Sequence, residues 1–281
     1  MNPLLLCTDL DRTLVPNGAE PESAQSRKKF SQLAGHPQVT LVYVTGRHQQ
    51  LVEQVIKEYQ LPQPDYVIAD VGSTIYEIVD HRWHYQKDWE NIINGDWQNK
   101  NSNELHVLLG TVKPLELQDA SKQNTYKLSY YAPGNLEPEE IIATIKQKLQ
   151  QQSIEANLIW SVDQQADIGL LDVLPASAGK RQAIEFLMQQ LDFNYADTVF
   201  AVDSGHDICV FSSPIQSVLV ANASDDVKEA AIKQAQAMHQ ADTLYLARGN
   251  FMGMNGNYSA GILEGVVHYL PQVEDWLRGE A

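Results

Sequence analysis

The chain has 281 residues, 43% of them hydrophobic, and its 36 acidic and 20 basic side chains give a formal net charge of -16 at pH 7. That length and apolar content suffice for one large hydrophobic core or two modest ones. The negative charge makes a nucleic-acid backbone or an anionic membrane surface a poor partner, whereas a phosphorylated small molecule can still bind where a metal ion and local cations reverse the potential.

The cysteine content indicates a reducing compartment. Cys7 and Cys209 are the two cysteines of the chain. Two are too few for a disulfide-stapled secreted scaffold, and they match no zinc-ligand spacing. The apolar start has no basic leader and soon reaches charged residues, so we expect neither a signal peptide nor a membrane span. We expect a cytoplasmic protein.

Short apolar runs and helical patterns alternate in the first eighty residues. Leu4 to Thr8 is an apolar run that ends at two acidic residues, and Val39 to Val44 is rich in β-branched residues. The spacing of leucine and valine from Gln49 to Tyr59 predicts a helix, and Tyr66 to Ala69 is a further apolar run. Further runs follow at 198–202 and 218–221. This alternation predicts a parallel α/β sheet.

The middle of the chain has a different pattern. Strands are predicted near 126–131, 157–162 and 168–174, and an amphipathic helix over 138–152. A helix among strands without the parallel-sheet pattern indicates a separate layer. We therefore predict an α/β fold: a doubly wound parallel-sheet core of residues 1–80 and 175–281, with an α+β cap inserted at 81–174.

Two carboxylates follow the first predicted strand. Asp9 and Asp11 are two residues apart, which suits a nucleophile beside a proton donor. A carboxylate that accepts a phosphoryl group divides one difficult hydrolysis into two easier steps. The second carboxylate can protonate the leaving alkoxide and then activate water. Because turns and helix caps are rich in aspartate, this pair alone is a weak signal.

Polar residues at the ends of other predicted elements strengthen that signal. Thr45 and Gly46 offer a hydroxyl and an accessible backbone amide for phosphate oxygens. Lys180 begins a predicted helix and can place a positive charge against a transferring group. Asp203 and Asp207 add carboxylates that suit Mg²⁺. In an open parallel sheet these loops meet at the switch point where ligands bind.

The chain resembles the haloacid dehalogenase (HAD) phosphatases in four motifs: Asp9-Leu10-Asp11 with Thr13, Thr45-Gly46-Arg47, Lys180, and Asp203-Ser204-Gly205-His206-Asp207. The Thr-Gly-Arg segment and the position of the cap resemble the sucrose-phosphate phosphatase group within that superfamily. Val71 to Tyr76, Tyr126 to Tyr130 and Leu171 to Pro175 also look like segments of that group.

The resemblance implies a role for each matching residue. Asp9 would be the nucleophile and a Mg²⁺ ligand, and Asp11 the general acid/base with its backbone carbonyl on the metal. Thr45, Gly46 and Lys180 would hold the phosphate. Asp203 would bind Mg²⁺ directly, and Asp207 would bind it directly or through water. Ser204 and His206 would stand behind the metal ligands or contact the phosphate.

Three further residues are candidates for substrate contact, each with an alternative interpretation. Lys127 resembles a cap lysine that reaches the substrate, but a lysine that alternates with apolar residues is ordinarily the wet face of a strand. Arg47 could contact phosphate or the cap, or form a salt bridge of little consequence. Ser73 could contact substrate or merely follow a tight turn at Gly72.

The sequence departs from the family pattern in the fourth motif and near the C-terminus. Val202 stands where the family usually has glycine, and His206 where it usually has asparagine. We expect these changes to shift metal affinity or the pH optimum, because imidazole hydrogen bonding depends on protonation. In the family, a histidine often stands close to the position that Tyr258 occupies here. Contact with the sugar at that position would favour a substrate other than sucrose phosphate.

The motifs and the resemblance predict a Mg²⁺-dependent phosphatase that hydrolyses sucrose-6-phosphate or a similar disaccharide or glycosyl phosphate. The alternatives are a phosphatase of another small phosphoester, a phosphotransferase or mutase with the same chemistry, and a non-catalytic HAD-like module. Retention of all the motif carboxylates argues against the last. The expected partner is a small sugar phosphate, with no nucleic acid or membrane; the oligomeric state stays open, a monomer included.

Overall fold

The computed structural model describes residues 3–134, 136–163, 168–204 and 208–279. Its strands are β1 (Leu4–Thr8), β2 (Val39–Val44), β3 (Tyr66–Ala69), β4 (Thr74–Val79), β5 (Arg82–Tyr85), β6 (Glu116–Leu117), β7 (Leu128–Pro133), β8 (Ala156–Asp163), β9 (Ile168–Pro175), β10 (Thr198–Val202), β11 (Gln216–Leu219) and β12 (Leu244–Leu246). Its α-helices are α1 (Ser26–Ala34), α2 (Gln49–Tyr59), α3 (Lys87–Asn94), α4 (Ser102–Leu109), α5 (Pro138–Gln150), α6 (Lys180–Gln190), α7 (Ile208–Phe211), α8 (Asp225–Ala237), α9 (Ser259–Tyr269) and α10 (Val273–Arg278).

Eight strands form the larger sheet, in the order β12-β11-β10-β1-β2-β3-β4-β5. The pairs from β12 to β3 are parallel, and β4 and β5 add an antiparallel edge. The chain leaves β1 toward β2 on one side and returns to β10 on the other. The carboxyl ends of these three strands therefore meet at a topological switch point, as the sequence predicts.

The first strand shows why an unbroken apolar run is needed there. Leu4 and Leu6 pack into the hydrophobic core on one face of the sheet, and Leu5 and Cys7 into the core on the other. All four side chains are fully buried. Because successive side chains of a strand point to opposite faces, a strand covered by helices on both sides has no place for polar residues until it ends.

The smaller sheet has the order β6-β7-β9-β8, and its pairs are antiparallel. Leu128 and Tyr130 of β7 are buried, as are Ile141, Ile145 and Leu149 of α5. The spacing of these three α5 residues is that of one helix face. An α+β layer thus interrupts the larger sheet between β5 and β10, in agreement with the predicted fold class.

The edge of the larger sheet extends a little beyond the predicted core boundary at residue 80. Residues Arg82–Tyr85 form β5 and pair with β4. Their side chains are exposed or half-buried, so no apolar run marks this strand in the sequence. The division of the chain into a catalytic core and a specificity cap stays a prediction. None of the helices described here is long and apolar enough to cross a membrane.

Candidate active site

Asp9 and Lys180 form the centre of the candidate site. Asp9 is the first residue beyond β1, and its backbone N–H donates to the carbonyl of Ala201 at 2.9 Å. Lys180 is the first residue of α6, as predicted. Its Nζ lies 3.3 Å from Asp9 Oδ1, and each side chain is 10% exposed. Partial burial strengthens their attraction and keeps the ammonium group beside the carboxylate.

Asp203 lies on the neighbouring strand at the same edge of the sheet. It follows β10 directly, and its side chain is 8% exposed. Thr13 Oγ1 donates to Asp203 Oδ1 at 3.1 Å, and Arg12 Nε lies 3.4 Å from Oδ2. Because β1 and β10 are parallel neighbours, Asp9 and Asp203 both face the carboxyl end of the sheet.

Asp11 is held by two side chains. Arg47 donates to it through Nε at 2.8 Å and Nη2 at 2.7 Å, and Asn17 Nδ2 donates at 2.7 Å. Burial alone would raise the pKa of Asp11, but the hydrogen bonds and charge of Arg47, the bond from Asn17 and the charge of Lys180 outweigh it and lower the pKa. Asp11 is therefore a carboxylate at neutral pH.

Thr45 and Gly46 follow β2, next to these acids. Thr45 is buried, with its N–H donating to Ile68 O at 2.8 Å and its Oγ1 accepting from Arg47 N at 3.2 Å. At Gly46 an added Cβ would find its nearest atom at 3.7 Å, on Val71. The backbone at Gly46 is thus open on that side, as a loop that receives phosphate oxygens requires.

Gly72 fixes the loop that carries Lys180. Its φ is +93°, and a Cβ there would lie 2.2 Å from the carbonyl carbon of Gly179 and 2.6 Å from Lys180 N. Only glycine permits both this backbone conformation and this approach. The turn after β3 therefore packs directly on the N-terminus of α6.

A cavity of about 140 Å³ opens beside Asp11. It is lined by residues from the larger sheet and by residues that precede or begin β7: Asp11, Gly46, Arg47, His48, Leu51 and Asp70 in the first group, Ser121, Lys122 and Lys127 in the second. Three basic and two acidic side chains are thus close to one another. Such a lining suits a ligand that combines an anionic group with hydroxyls.

Asp70 lines the cavity but is not among the residues that the sequence predicted for the site. It follows β3 just as Asp9 follows β1, and this position directly after a strand was the feature of the sequence that could have predicted it. Its side chain is buried and its φ is +52°. Burial raises the pKa of Asp70, against the opposing effects of Lys127, Asn124, Thr74 and His48. A carboxyl group kept in such surroundings beside a cavity is a candidate for ligand binding.

Lys127 and Ser73 have different surroundings. Lys127 is 5% exposed and lines the cavity; its Nζ donates to Lys122 O at 3.0 Å and lies 3.7 Å from Asp172. It is therefore not on the wet face of a strand. Ser73 is buried, donates to Asp70 O at 3.0 Å and accepts from Asn124 Nδ2 at 3.1 Å. Those bonds favour the structural interpretation of Ser73.

Tyr258 is fully buried, and its hydroxyl donates to Glu20 O at 3.0 Å. It holds the loop after Asp11 and is not exposed to the cavity. The hypothesis that a sugar contact at Tyr258 alters the substrate is therefore not supported by its position.

The carboxylates present fit a hard divalent cation. Asp9 and Asp203 are largely buried oxygen donors on adjacent strands, the donor type that Mg²⁺ prefers. In the described ranges, which omit 205–207, no three His, Cys, Asp or Glu side chains are grouped closely enough to hold a metal ion. The predicted ligand Asp207 and its neighbour His206 lie outside the described residues, and Ser204 is half-buried just after Asp203.

Comparisons with known proteins agree with this geometry. The model of the sucrose-6F-phosphate phosphohydrolase family matches residues 2–270. A protein of Nitrosococcus oceani described as a HAD-like hydrolase is 50% identical over 98% of this chain and 74% of its own length. Sucrose-phosphatase 1 of Nicotiana tabacum is 29% identical over 80% of this chain and 51% of its own, so the chain spans about half of that relative.

Solved structures include a sucrose-phosphatase from Synechocystis sp. in complex with sucrose and phosphate. It superposes with a TM-score of 0.76 at 25% identity, over 96% of this chain and 98% of that one. The similarity thus covers both sheets and the site between them.

Proposed function

This chain belongs to the sucrose-6F-phosphate phosphohydrolase family and is a HAD-type phosphoric monoester hydrolase, and we propose that it hydrolyses sucrose-6-phosphate or a similar disaccharide or glycosyl phosphate. The observation that carries the proposal is the ion pair of Lys180 with Asp9, together with Asp11, which lines a cavity that offers cations and hydrogen-bond acceptors.

In the proposed first step, an Asp9 oxygen attacks phosphorus and the bond from phosphorus to the sugar oxygen breaks. Lys180, Thr45 and the Gly46 amide hold the phosphoryl oxygens. Asp11 gives its proton to the departing sugar oxygen. The Arg47 fork favours the carboxylate form of Asp11, so protonation requires an opposing effect. An anionic phosphate close to Asp11 provides one, because like charge raises a carboxyl pKa.

In the second step, Asp11 as a carboxylate takes a proton from water, and that water attacks phosphorus of the Asp9 acyl phosphate. Phosphate leaves and Asp9 is regenerated. Asp9, the Asp11 carbonyl, Asp203 and Asp207 would hold Mg²⁺, which when bound neutralises charge on the transferring group. The two steps together convert one phosphate ester and one water molecule into one sugar and one inorganic phosphate.

The cavity supports a polar, phosphorylated substrate. Lys127, Lys122 and Arg47 provide positive charge, and Asp70 provides an acceptor for sugar hydroxyls. The Synechocystis relative holds sucrose and phosphate, which supports a glycosyl phosphate here. We infer that the layer containing β6 to β9 serves as a specificity cap.

Phosphate release from a panel of sugar phosphates, with Mg²⁺ and with chelator, tests the proposal. We expect rapid release from one disaccharide or glycosyl phosphate, abolished by chelator and by Asp9→Asn. The matched control is Asp225→Asn, at a side chain that is 94% exposed on α8, which should leave the rate unchanged. No release by the folded, metal-loaded protein, or release that survives Asp9→Asn, would overturn it.

A further inference from the structure

The loop that carries Asp11 is tied to the C-terminal part of the chain by one buried amide. Asn222 is 5% exposed. Its Nδ2 donates to the carbonyl of Arg12 at 2.7 Å, and its Oδ1 accepts from the N–H of Tyr258 at 2.8 Å. Because one end of an amide donates and the other accepts, both bonds can form in one orientation only.

The bond to Arg12 acts on an unfavourable backbone conformation. Arg12 has φ of +56°, a left-handed value that side-chain-bearing residues rarely adopt. In this conformation its N–H donates to Asn17 Oδ1 at 2.8 Å, and Asn17 Nδ2 donates to Asp11 Oδ1 at 2.7 Å. Two asparagine amides therefore connect the Tyr258 backbone to the Asp11 carboxylate.

The same loop is also held farther along. Tyr258, buried and with φ of +51°, donates through its hydroxyl to Glu20 O. A Cβ added at Gly18 would lie 2.7 Å from that hydroxyl oxygen, so the loop wraps closely around the ring. Asn257 Nδ2 donates to Pro21 O at 3.0 Å. Like the Asn222 bond, it joins a side-chain amide to a loop carbonyl, nine residues farther along; Asn255 Nδ2 also donates to Pro21 O, at 2.8 Å.

We propose that Asn222 is a positioning residue for the hydrolysis. By holding the Arg12 carbonyl it keeps the turn that lets Asn17 direct Asp11 toward the leaving oxygen. The proposal rests on the proposed function, in which Asp11 is the general acid. Asn222 itself does not touch the substrate or the reacting atoms.

Asn222→Asp removes the donor to Arg12 and keeps the size of the side chain and the acceptor for Tyr258 N–H. The readout is kcat/KM for the best sugar phosphate and for p-nitrophenyl phosphate, at saturating Mg²⁺. A sugar alkoxide needs a proton as it leaves, whereas nitrophenolate does not. We expect kcat/KM to fall about 10-fold or more for the sugar phosphate and less than about 3-fold for the aryl phosphate, as for a misplaced acid.

The matched control is Asn257→Asp, which removes the same kind of bond at Pro21 and should change neither rate by more than about 2-fold. Asn17 is the exposed residue that donates to Asp11. Asn17→Ala should reproduce the selective loss of kcat/KM for the sugar phosphate even if Asn222→Asp does not fold. Equal losses on both substrates, or no loss in a folded variant, would overturn the proposal.

Failure of the proposed function is distinguishable, because it shows in the wild-type rates. If the wild-type protein hydrolyses neither ester, the function has failed, and amide hydrogen exchange at residues 12–17 decides the positioning role. Asn222→Asp should then speed exchange in that segment, and Asn257→Asp should not. Unchanged exchange at residues 12–17 in Asn222→Asp would refute the proposal that Asn222 holds this loop.

Discussion

The ammonium group of Lys180 lies 3.3 Å from Asp9 Oδ1, and each of the two side chains is 10% exposed. Lys180→Met is therefore expected to lower kcat/KM about 100- to 1000-fold, since loss of one group that stabilises the transition state has costs of that order. Steady-state phosphate release measures the change. Lys228→Met, at an ion pair on α8, is the control; a Lys180→Met enzyme within about 3-fold of wild type would contradict the assignment.

The ionised form of Asp70 destabilises the folded protein. Its pKa is raised by burial, so the folded state disfavours the ionised form, and ionisation at neutral pH costs stability. Asp70→Asn should raise the urea midpoint at pH 7, and its advantage should shrink as pH falls toward the ordinary aspartate pKa of about 3.9. Urea titrations across that pH range measure this. A lower midpoint at pH 7 would show that the carboxylate stabilises the fold.

The sequence predicted individual site residues where a strand with a clear apolar pattern preceded them. Asp9, Thr45 and Asp203 follow β1, β2 and β10 and were predicted as site residues. Asp70 follows β3 but has no second acid nearby, so it resembled an ordinary turn residue. The Arg47 fork on Asp11 joins residues 36 positions apart. Contacts at that separation depend on the tertiary structure, which local pattern does not contain.

The turn between β3 and β4 provides a test at the level of elements. Gly72→Ala should cost about 2 kcal/mol or more in unfolding free energy, because it combines a left-handed φ with overlap on the Gly179–Lys180 backbone. It should also lower activity by displacing Lys180. Gly253 shares a positive φ of +74° but has open space, so Gly253→Ala should cost only about 1 kcal/mol.

Urea unfolding of both variants separates the two effects. A similar cost for Gly72→Ala and Gly253→Ala would indicate backbone strain alone and would argue against a direct role of Gly72 in packing the Lys180 loop.

The elements predicted best were strands buried on both faces and helices with one apolar face. The bounds of α2 (Gln49–Tyr59) agree with the leucine and valine spacing. β11 begins two residues before the apolar run that predicted it, because Gln216 and Ser217 pair in the sheet despite being polar. β5 was missed because an exposed edge strand needs no apolar pattern.

For the whole molecule, buried and half-buried tyrosines predict a loss of stability at high pH. Burial raises the pKa of Tyr43, and burial with Glu77 raises the pKa of Tyr66 to about 12, as burial with Glu264 does for Tyr245. Folded-state values above the ordinary value of about 10 mean that this stability is complete below pH 10 and is lost above it.

Urea midpoints and tyrosinate absorbance measured together above about pH 8 test this. We expect the midpoint to fall beyond about pH 10, with part of the tyrosinate signal appearing only on unfolding. Tyr43→Phe should make the urea midpoint fall less steeply as pH rises. Full tyrosinate absorbance in a still-folded protein would contradict the predicted burial effect.

The covalent intermediate at Asp9 is the central claim, and acid quenching during turnover followed by peptide mass spectrometry tests it most directly. We predict the added mass of one phosphoryl group on the peptide that contains Asp9 when Mg²⁺ and a sugar phosphate that the protein hydrolyses are present. The added mass should be absent in Asp9→Asn. Rapid phosphate release by the wild-type protein with no phosphoryl group on that peptide, or with one on another residue, would contradict the account.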